Sequence, residues 1–380
     1  MPHIALITSS YPDGAPGSEA AGSFVADFAR ELSTHVRVTV VAASSANSVT
    51  TEGALTVRRF SVPRIPLSLL KPFKPLDWLA IIQTLRSGKT ALKAIAEDDC
   101  PDHVLALWAL PGGYWAESIG KQYKIPFSIW ALGSDIWELG RIPLVRSKLR
   151  SVLRGAKYRF ADGLQLAANV EVICDRPCAF LPSTRQLTRP GVRTLPNRPP
   201  YKLAFLGRWH VNKGVDLLFE ALAQLSDIDW QNISEIRIYG GGPLDDHVIL
   251  RTQELQKRRR PVFHGGYLDK KDAANLIQWA DYLLIPSRIE SIPVIFSDAM
   301  QLGTPLVATP VGDLPNLHEK FPFGTLASEI NASAYAEALR SALNQDASSF
   351  QSSIDEARLE FDLQAITQGF LKKIGLGESQ

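Results

Sequence analysis

Short apolar runs rich in β-branched residues alternate with helical patterns along the whole chain. In the first half, the runs predicted to be strands begin at His3, Val36, Leu55, His103, Pro126 and Gly163. In the second half, they begin at Lys202, Glu235, Pro261, Asp281 and Pro305. Strands that alternate with helices form parallel sheets covered by helices on both faces. The pattern therefore predicts an α/β protein built from two doubly wound, Rossmann-like domains.

A proline-rich stretch separates the two sets of strands. Residues 181–200, "LPSTRQLTRPGVRTLPNRPP", contain five prolines and show no helical period, which is typical of a linker. We predict a first domain over 1–185, a linker over 186–200, a second domain over 201–355, and a C-terminal helix within 356–380 that crosses back to the first domain. Two facing domains leave a central cleft, and ligands of such sheets bind beyond the carboxyl ends of the strands.

Composition and charge exclude few classes of protein but remove some kinds of site. The net charge of +2 does not indicate a nucleic-acid partner. Cys174 and Cys178 have three residues between them and no histidine cluster nearby, so no zinc site is expected. The chain starts directly in a strand, without the basic and apolar regions of a signal peptide, and has few cysteines, so we expect a cytoplasmic location. No apolar run reaches the ~18 residues of a membrane span.

The loop after the first strand of the second domain carries two cations. Gly207 ends this strand, Arg208 follows at once, and Lys213 comes just before the next helix. Arg can bind phosphate bidentately, Lys acts as a point charge, and the helix start adds free N–H groups. The spacing predicts a clamp for two phosphates. The alternative is a solvated loop that happens to be basic.

Gly240, Gly241 and Gly242 follow the next strand, and such a run lets the backbone approach a ligand closely. A plain tight turn is the alternative for this glycine run.

A later strand–loop–helix stretch, "IPSRIESIPVIFSDAMQLGTPLVAT", contains two spaced acids. Pro293 fits the first helical position and Gly303 fits the helix stop, so Glu290 is expected in the loop and Asp298 inside the helix. The amides of Ser291 and Ile292 would be free to receive an anion. A diphosphate at the helix start with one acid near each end is the layout for a nucleotide-sugar. One acid would then accept from the sugar hydroxyls and the other from the ribose hydroxyls. The alternative for Asp298, which lies among apolar residues, is a structural carboxylate with a neighbouring partner.

Five motifs in this order resemble the retaining, family-four glycosyltransferases of the GT-B fold (the glycosyl transferases group 1 domain). They are "GRWHVNKGVDLLFEAL", "IYGGGPL", "FHGGYLDKKDAANLIQWADYLLIPS", the two acids, and "LGTPLVATPVGDLP". The resemblance implies that Arg208 and Lys213 hold the donor diphosphate, that Glu290 faces the donor sugar, and that the second acid holds the ribose. It also implies retention of configuration and no required metal or other cofactor. The second acid is usually Glu, and Asp298 is one methylene shorter.

The first domain resembles the family less closely. Its opening segment suggests that the loop from 12 to 22, including Gly22, faces the donor diphosphate. The stretch "ALGSDIW" resembles a loop that usually contains His-Gly-Ser-Asp, with Leu132 in place of the His. Gly133 and Asp135 are therefore candidates for sugar or acceptor contact. His103 is expected to be structural, and core burial is the favoured role for most of Trp108, Trp115, Trp130 and Trp137.

Residues 141–160 carry seven basic residues and no acid, with apolar residues at near-helical spacing. Such a helix can lie on an anionic membrane or hold a phosphorylated lipid acceptor, and residues 68–82 add apolar and basic surface. The alternative is a solvated helix against the core. The leading hypothesis is a retaining hexosyltransferase that uses a nucleotide-diphosphate sugar in cell-surface polysaccharide or glycolipid assembly. A non-catalytic nucleotide-sugar-binding subunit and an inverting transferase or epimerase of the same fold are the alternatives.

Overall fold

The computed structural model describes residues 1–12, 19–188 and 193–377. The chain divides into two compact units, one comprising Met1–Pro182 and Ile366–Gln380 and the other Ser183–Ala365. Each unit contains a largely parallel sheet with helices between its strands, so the predicted α/β class with two doubly wound, Rossmann-like domains is confirmed.

The first unit contains an eight-stranded sheet in the order β3-β4-β2-β1-β5-β6-β7-β8. Its strands are β1 (His3–Thr8), β2 (Arg37–Ser44), β3 (Ser48–Glu52), β4 (Leu55–Ser61), β5 (His103–Leu107), β6 (Phe127–Ala131), β7 (Tyr158–Ala161) and β8 (Ala179–Phe180). All neighbouring strands are parallel except β3, which forms an antiparallel pair with β4. Every residue of β1, β5 and β6 is buried, as expected for central strands covered on both faces.

Helices connect these strands and cover the sheet. They are α1 (Glu19–Leu32), α2 (Trp78–Asp98), α3 (Gly112–Tyr123), α4 (Ser134–Trp137), α5 (Pro143–Gly155) and α6 (Leu164–Cys174). Three short 3₁₀ turns lie at Leu67–Leu69, Pro75–Asp77 and Leu139–Arg141. Trp115 and Trp130 are fully buried, which confirms the core role expected for them.

The second unit contains a six-stranded parallel sheet in the order β11-β10-β9-β12-β13-β14. Its strands are β9 (Tyr201–Arg208), β10 (Ile233–Gly241), β11 (Val262–Gly265), β12 (Tyr282–Ile285), β13 (Leu306–Ala308) and β14 (Gly324–Leu326). Counted within the unit, this is the order 3-2-1-4-5-6 of the dinucleotide-binding fold. The direction of winding reverses between β9 and β12, so the loops that leave these two strands diverge and open a crevice at the sheet edge.

The helices of the second unit follow its strands in turn. They are α7 (Val215–Leu222), α8 (Asp227–Gln231), α9 (Asp245–Lys257), α10 (Lys270–Trp279), α11 (Val294–Leu302), α12 (Leu314–Lys320), α13 (Ala332–Leu343) and α14 (Gln351–Glu360). Two 3₁₀ turns lie at Val211–Lys213 and Ala347–Phe350. Phe296 on α11 contacts Phe323 and Phe361 edge to face, with ring centroids 5.1 and 5.3 Å away. These contacts fix α11 against the core.

Several details differ from the sequence-based expectations, among them the strands β3, β8 and β14, which were not predicted. The strand predicted at Gly163 is wrong, because the strand is the preceding segment β7 and Gly163 is the N-terminal cap of α6. The chain groups with the second unit from Ser183 onward, and this part includes the segment 186–200 that was predicted as a linker. Arg193, a residue of this segment, is anchored by hydrogen bonds from its guanidinium to Thr304 Oγ1 at 2.8 Å and to the Ala280 carbonyl oxygen.

The last helix, α15, spans Leu363–Ile374. From Ile366 onward it groups with the first unit, where Phe370 contacts Phe28 and Phe160 at ring-centroid distances of 5.5 and 5.4 Å. No helix in the described parts of the chain is both long and apolar enough to cross a membrane.

Candidate active site

The loop between β9 and α7 leaves the centre of the second sheet and carries both predicted phosphate-binding cations. Arg208 is the last residue of β9, its side chain is exposed, and it forms no ion pair with any residue that the structure describes. Lys213 ends the 3₁₀ turn that follows. Gly214 then adopts a positive φ of 72°, and a Cβ there would overlap the carbonyl oxygen of Pro286. Only glycine therefore lets this loop lie directly against the loop that follows β12.

The glycine run at the end of β10 lies beside the Arg208 backbone. Gly240 and Gly241 are in register with Gly207 and Arg208 of β9, and a Cβ on Gly240 would overlap the Gly207 carbonyl oxygen. Gly242 has a φ of 146°, and its Cβ would come within 3.2 Å of Arg208 Cγ. The glycines therefore keep the surface beside the Arg208 side chain open.

A third cation, Arg288, connects the loop after β12 to the loop after β9. Its guanidinium donates to the carbonyl oxygen of Val211 at 2.7 Å and to Asp216 Oδ1 at 2.8 Å. Its backbone N–H donates to the Asn212 carbonyl oxygen at 2.8 Å. Burial alone would raise the pKa of Asp216, but the hydrogen bond and charge of Arg288 outweigh it and hold that pKa below its ordinary value. The ion pair fixes the two loops relative to each other.

The two loops bring Lys213 and Glu290 into direct contact. Lys213 Nζ donates to Glu290 Oε1, and Ser287 Oγ lies 3.5 Å from the same oxygen. The side chains stay 39 % and 15 % exposed respectively, so both remain accessible to a ligand. The structure thus brings together one predicted phosphate-binding residue and the predicted sugar-binding acid, although 77 residues separate them in the chain.

Unpartnered donors lie immediately after Glu290, at the start of α11. The backbone N–H groups of Ser291 and Ile292 donate to no oxygen of the described residues. Ser291 Oγ is buried and has no hydrogen-bond partner among those residues. The Ser291 carbonyl is fixed by the Asp313 backbone N–H at 3.0 Å, and Gly312 has a φ of 53° that permits this approach. These unpartnered donors and the positive end of the helix dipole favour an anion at the start of α11.

Asp298 lies in the second turn of α11 and is 0 % exposed. Both of its carboxylate oxygens accept from Arg185, with Nε donating to Oδ1 at 3.0 Å and Nη2 donating to Oδ2. Gln301 on the same helix donates to Thr184 Oγ1 at 2.6 Å. This arrangement matches the structural alternative, because the carboxylate holds the 183–185 segment on α11. The ribose contact of Asp298 stays a prediction, and the group it would use is occupied by Arg185 in this structure.

The candidate residues of the first unit lie near the carboxyl ends of its strands. Asp135, just after β6, is buried and accepts hydrogen bonds from the Ala109 and Leu132 backbone N–H groups at 2.5 and 3.2 Å. Burial raises the pKa of Asp135 to about 6. Gly133 has a φ of 104°, and its Cβ would come within 3.0 Å of the Trp137 ring. Asp135 thus ties two loops together, and its sugar contact stays a prediction.

Gly22 lies in α1, where a Cβ would come within 3.0 Å of Pro12 and Tyr11. Residues 13–18 of the predicted loop lie outside the described residues, and the part of that loop from Glu19 onward belongs to α1.

The predicted membrane helix proves to be α5, and its apolar side faces the core. Leu149, Val152 and Leu153 are buried, and Lys148 Nζ donates to Oε2 of the buried Glu117 on α3 at 2.5 Å. Arg154 donates to the Cys174 carbonyl oxygen at 2.9 Å. Most of the helix therefore matches the alternative, a solvated helix against the core.

Two arginines that organise the second unit, Arg288 and Arg185, were not predicted from the sequence. Arg288 was visible inside the stretch with the two acids, but its partner Asp216 lies 72 residues away. The apolar surroundings of Asp298 indicated a partner for its carboxylate, but nothing in the sequence pointed to Arg185, the last residue of the predicted first domain. Among the described residues, no three His, Cys, Asp or Glu side chains come close enough together to hold a metal ion.

Residues 200–345 match the family model described as glycosyl transferases group 1. This match lies within the second unit and covers less than half of the chain, so it shows a similarity of that unit to the family. Its curated relatives include a D-inositol 3-phosphate glycosyltransferase of Jonesia denitrificans, 30 % identical over 187 residues, which are 48 % of this chain and 42 % of the relative. Another is the putative colanic acid biosynthesis glycosyltransferase WcaL of Salmonella typhimurium, 30 % identical over 181 residues, covering 44 % of this chain and 43 % of the relative. These matches span less than half the length of the curated relatives.

Solved structures extend the similarity to nearly the whole chain. The sucrose-phosphate synthase of Thermosynechococcus elongatus has a TM-score of 0.73 at 18 % identity, over 99 % of this chain and 98 % of that one. Anabaena Alr3699/HepE in complex with UDP and glucose has a TM-score of 0.69 at 16 % identity, over 99 % and 100 % of the two chains. At such identities the similarity shows the fold alone, which is the GT-B fold with two Rossmann-like domains.

Proposed function

We propose that the chain is a retaining glycosyltransferase that moves a hexose from a nucleotide-diphosphate sugar to a hydroxyl of a glycan or lipid-linked glycan acceptor. The reaction would serve cell-surface polysaccharide or glycolipid biosynthesis, because a relative is named for colanic acid biosynthesis. The observation that carries the proposal is the cluster of donors around Glu290. It combines the Lys213 ammonium, the unpartnered Ser291 and Ile292 amides, and the buried Ser291 hydroxyl.

The donor diphosphate would lie between Arg208, Lys213 and the start of α11. The anomeric carbon–oxygen bond to the diphosphate breaks, so negative charge grows on the leaving group and positive charge grows on the sugar ring. Cations and fixed amides aimed at the leaving group stabilise that charge more in the transition state than in the ground state. The positive groups of the chain would therefore supply the charge stabilisation, and we propose no metal and no other cofactor.

Donor binding would separate the Lys213–Glu290 ion pair. Lys213 would turn to the diphosphate, and Glu290 would accept hydrogen bonds from the donor sugar. Each of the two charges would then have a new partner in the donor. In the free protein, the ion pair compensates both charges and keeps both side chains ordered. The acceptor oxygen would form the new bond to the anomeric carbon on the same face that the phosphate leaves, and its proton would pass to the departing phosphate. The configuration would then be retained without an enzyme nucleophile.

A nucleotide-sugar screen tests the binding half of the proposal. Thermal shift would be measured with uridine, guanosine and adenosine diphosphate sugars, and we expect stabilisation by one of these classes. Anabaena Alr3699/HepE in complex with UDP-glucose, a fold neighbour at 14 % identity, makes the uridine donor the first to try. The absence of a shift with every donor would contradict the proposal.

Glu290→Gln tests the transfer half, with donor hydrolysis and transfer to glycan acceptors as the readout. Gln keeps the shape of the side chain and removes its charge, so we expect slower turnover while the affinity for the nucleoside diphosphate alone is retained. Lys202→Ala, which removes an exposed cation at the opposite end of β9, is the matched control. If the wild-type chain binds a donor but turns over none, the non-catalytic subunit becomes the better interpretation.

A further inference from the structure

The first unit exposes a cluster of large apolar side chains between β4 and the second turn of α2. Leu76 is 95 % exposed, Leu79 is 75 % exposed and Phe73 is 67 % exposed. The other exposed apolar members are Ile65, Leu69, Trp78 and Ile82. Single exposed apolar side chains are ordinary, whereas a contiguous group marks an interaction surface. We refer to residues 64–89 as the apolar–basic segment.

The core does not need these side chains. Helix α2 already buries another face, formed by Thr84, Gly88, Leu92 and Ile95. Gly88 lies directly against the Trp115 ring, and Trp115 Nε1 donates to the Leu85 carbonyl oxygen at 2.9 Å. The helix is therefore fixed to the sheet by its later turns, while its first turns and the preceding 3₁₀ turns present their apolar side chains outward.

The charges of the apolar–basic segment are almost all positive. It contains five basic residues, Arg64, Lys71, Lys74, Arg86 and Lys89, and one acid, Asp77. Asp77 is buried and accepts from Arg64 Nη1 at 2.9 Å and from the Lys71 backbone N–H at 3.0 Å. Asp77 therefore stabilises the turn before α2, and the surface that surrounds the exposed apolar side chains is cationic.

We propose that the apolar–basic segment docks the first unit on an anionic lipid surface. Aromatic and aliphatic side chains ringed by Lys and Arg match the boundary between acyl chains and anionic headgroups. A second copy of the chain fits less well, because a two-fold interface would place the same cations opposite each other with no exposed acid to pair them. This inference does not depend on the proposed sugar transfer.

Helix α5, predicted from sequence as the membrane surface, supplies the matched control. It carries one highly exposed apolar residue, Leu144, which is 87 % exposed, but its buried face and several of its cations contact the rest of the unit. Leu144→Ser therefore removes about as much exposed apolar surface as Leu76→Ser alone, from a basic helix of the same unit that lies outside the apolar–basic segment.

Vesicle co-sedimentation of the full chain tests the proposal. The vesicles would contain phosphatidylcholine alone or phosphatidylcholine mixed with phosphatidylglycerol. We expect binding to the anionic vesicles only, weakened by salt. Leu76→Ser with Leu79→Ser should lower the partition coefficient about tenfold or more, because each side chain loses its burial in the interface. Lys74→Glu with Lys89→Glu should also weaken binding, whereas Leu144→Ser should leave it unchanged.

Three results would overturn the proposal. The first is wild-type chain that stays in solution with anionic vesicles at low salt. The second is a Leu76→Ser/Leu79→Ser variant that melts like wild type and still binds as tightly. The third is light scattering that shows a dimer in solution which the same double variant converts to monomer, since that would assign the surface to a second copy.

Discussion

The ion pair between Arg185 and Asp298 gives the sharpest stability prediction. Arg185→Met removes the partner of a carboxylate that is 0 % exposed, while Met preserves most of the apolar stem. Loss of one partner of a buried pair costs about 3–5 kcal/mol, because the remaining charge is left uncompensated. Arg185 itself is 17 % exposed, so some water can reach the site and we expect the lower end, about 3 kcal/mol.

Differential scanning calorimetry provides the measurement. For a unit of this size, about 3 kcal/mol corresponds to a fall in melting temperature of about 6–12 °C. Adding Asp298→Asn to Arg185→Met removes the unpaired charge, so the double variant should recover a large part of the loss. Arg251→Met, which breaks the partly exposed pair with Glu254 on α9, is the matched control and should change the melting temperature little.

Two outcomes would refute this reasoning. One is an Arg185→Met protein that melts with wild type, and the other is a double variant whose loss equals the sum of the two single losses, which would mean that the residues are not coupled. The same variants test the ribose prediction. If Asp298 binds ribose, Asp298→Asn should weaken nucleotide affinity at a temperature where both proteins are folded.

Three further predictions concern the site and the first unit. Arg208→Ala and Lys213→Ala should each weaken nucleoside diphosphate binding and cost about 3–4 kcal/mol of transition-state stabilisation, whereas Lys202→Ala should change neither quantity. An unchanged calorimetric affinity in both variants would count against the phosphate site. Gly214→Ala should displace the loops that carry Lys213 and Glu290 and lower donor affinity, whereas Gly266→Ala, with open space around its Cβ position, should not; equal affinities would contradict the steric argument. Burial lowers the pKa of His103 from 6.5 to about 4. Between these two pH values the unfolded chain binds a proton at His103 and the folded chain does not, so the free energy of unfolding should decrease as the pH falls from about 6.5 to about 4. His103→Gln should flatten that decline in pH-dependent melting, and an unchanged slope would argue against it.

The periodicity of apolar residues identified both sheets because central parallel strands are buried on two faces and leave a continuous apolar signal. The strand predicted at Gly163 failed for the same reason, since α6 also begins with an apolar run and a short run does not distinguish the two structures. The loops with Lys213 and Glu290 were found because glycines, prolines and charges mark the ends of strands. Leu76 and Leu79 illustrate a second limit of prediction from sequence. A run of apolar residues does not reveal which of them remain exposed in the folded protein.

By itself, the sequence determined the α/β class, the two Rossmann-like units, and the residue types that follow each strand of the second unit. These depend on local propensity and on spacing along the chain. Only the tertiary structure decided that Lys213 contacts Glu290, that Arg185 neutralises Asp298, and that Arg288 joins two loops. Each of these pairs joins residues 72 to 113 positions apart, so its geometry depends on how the strands are ordered in the sheet and on which charges lose their water on folding.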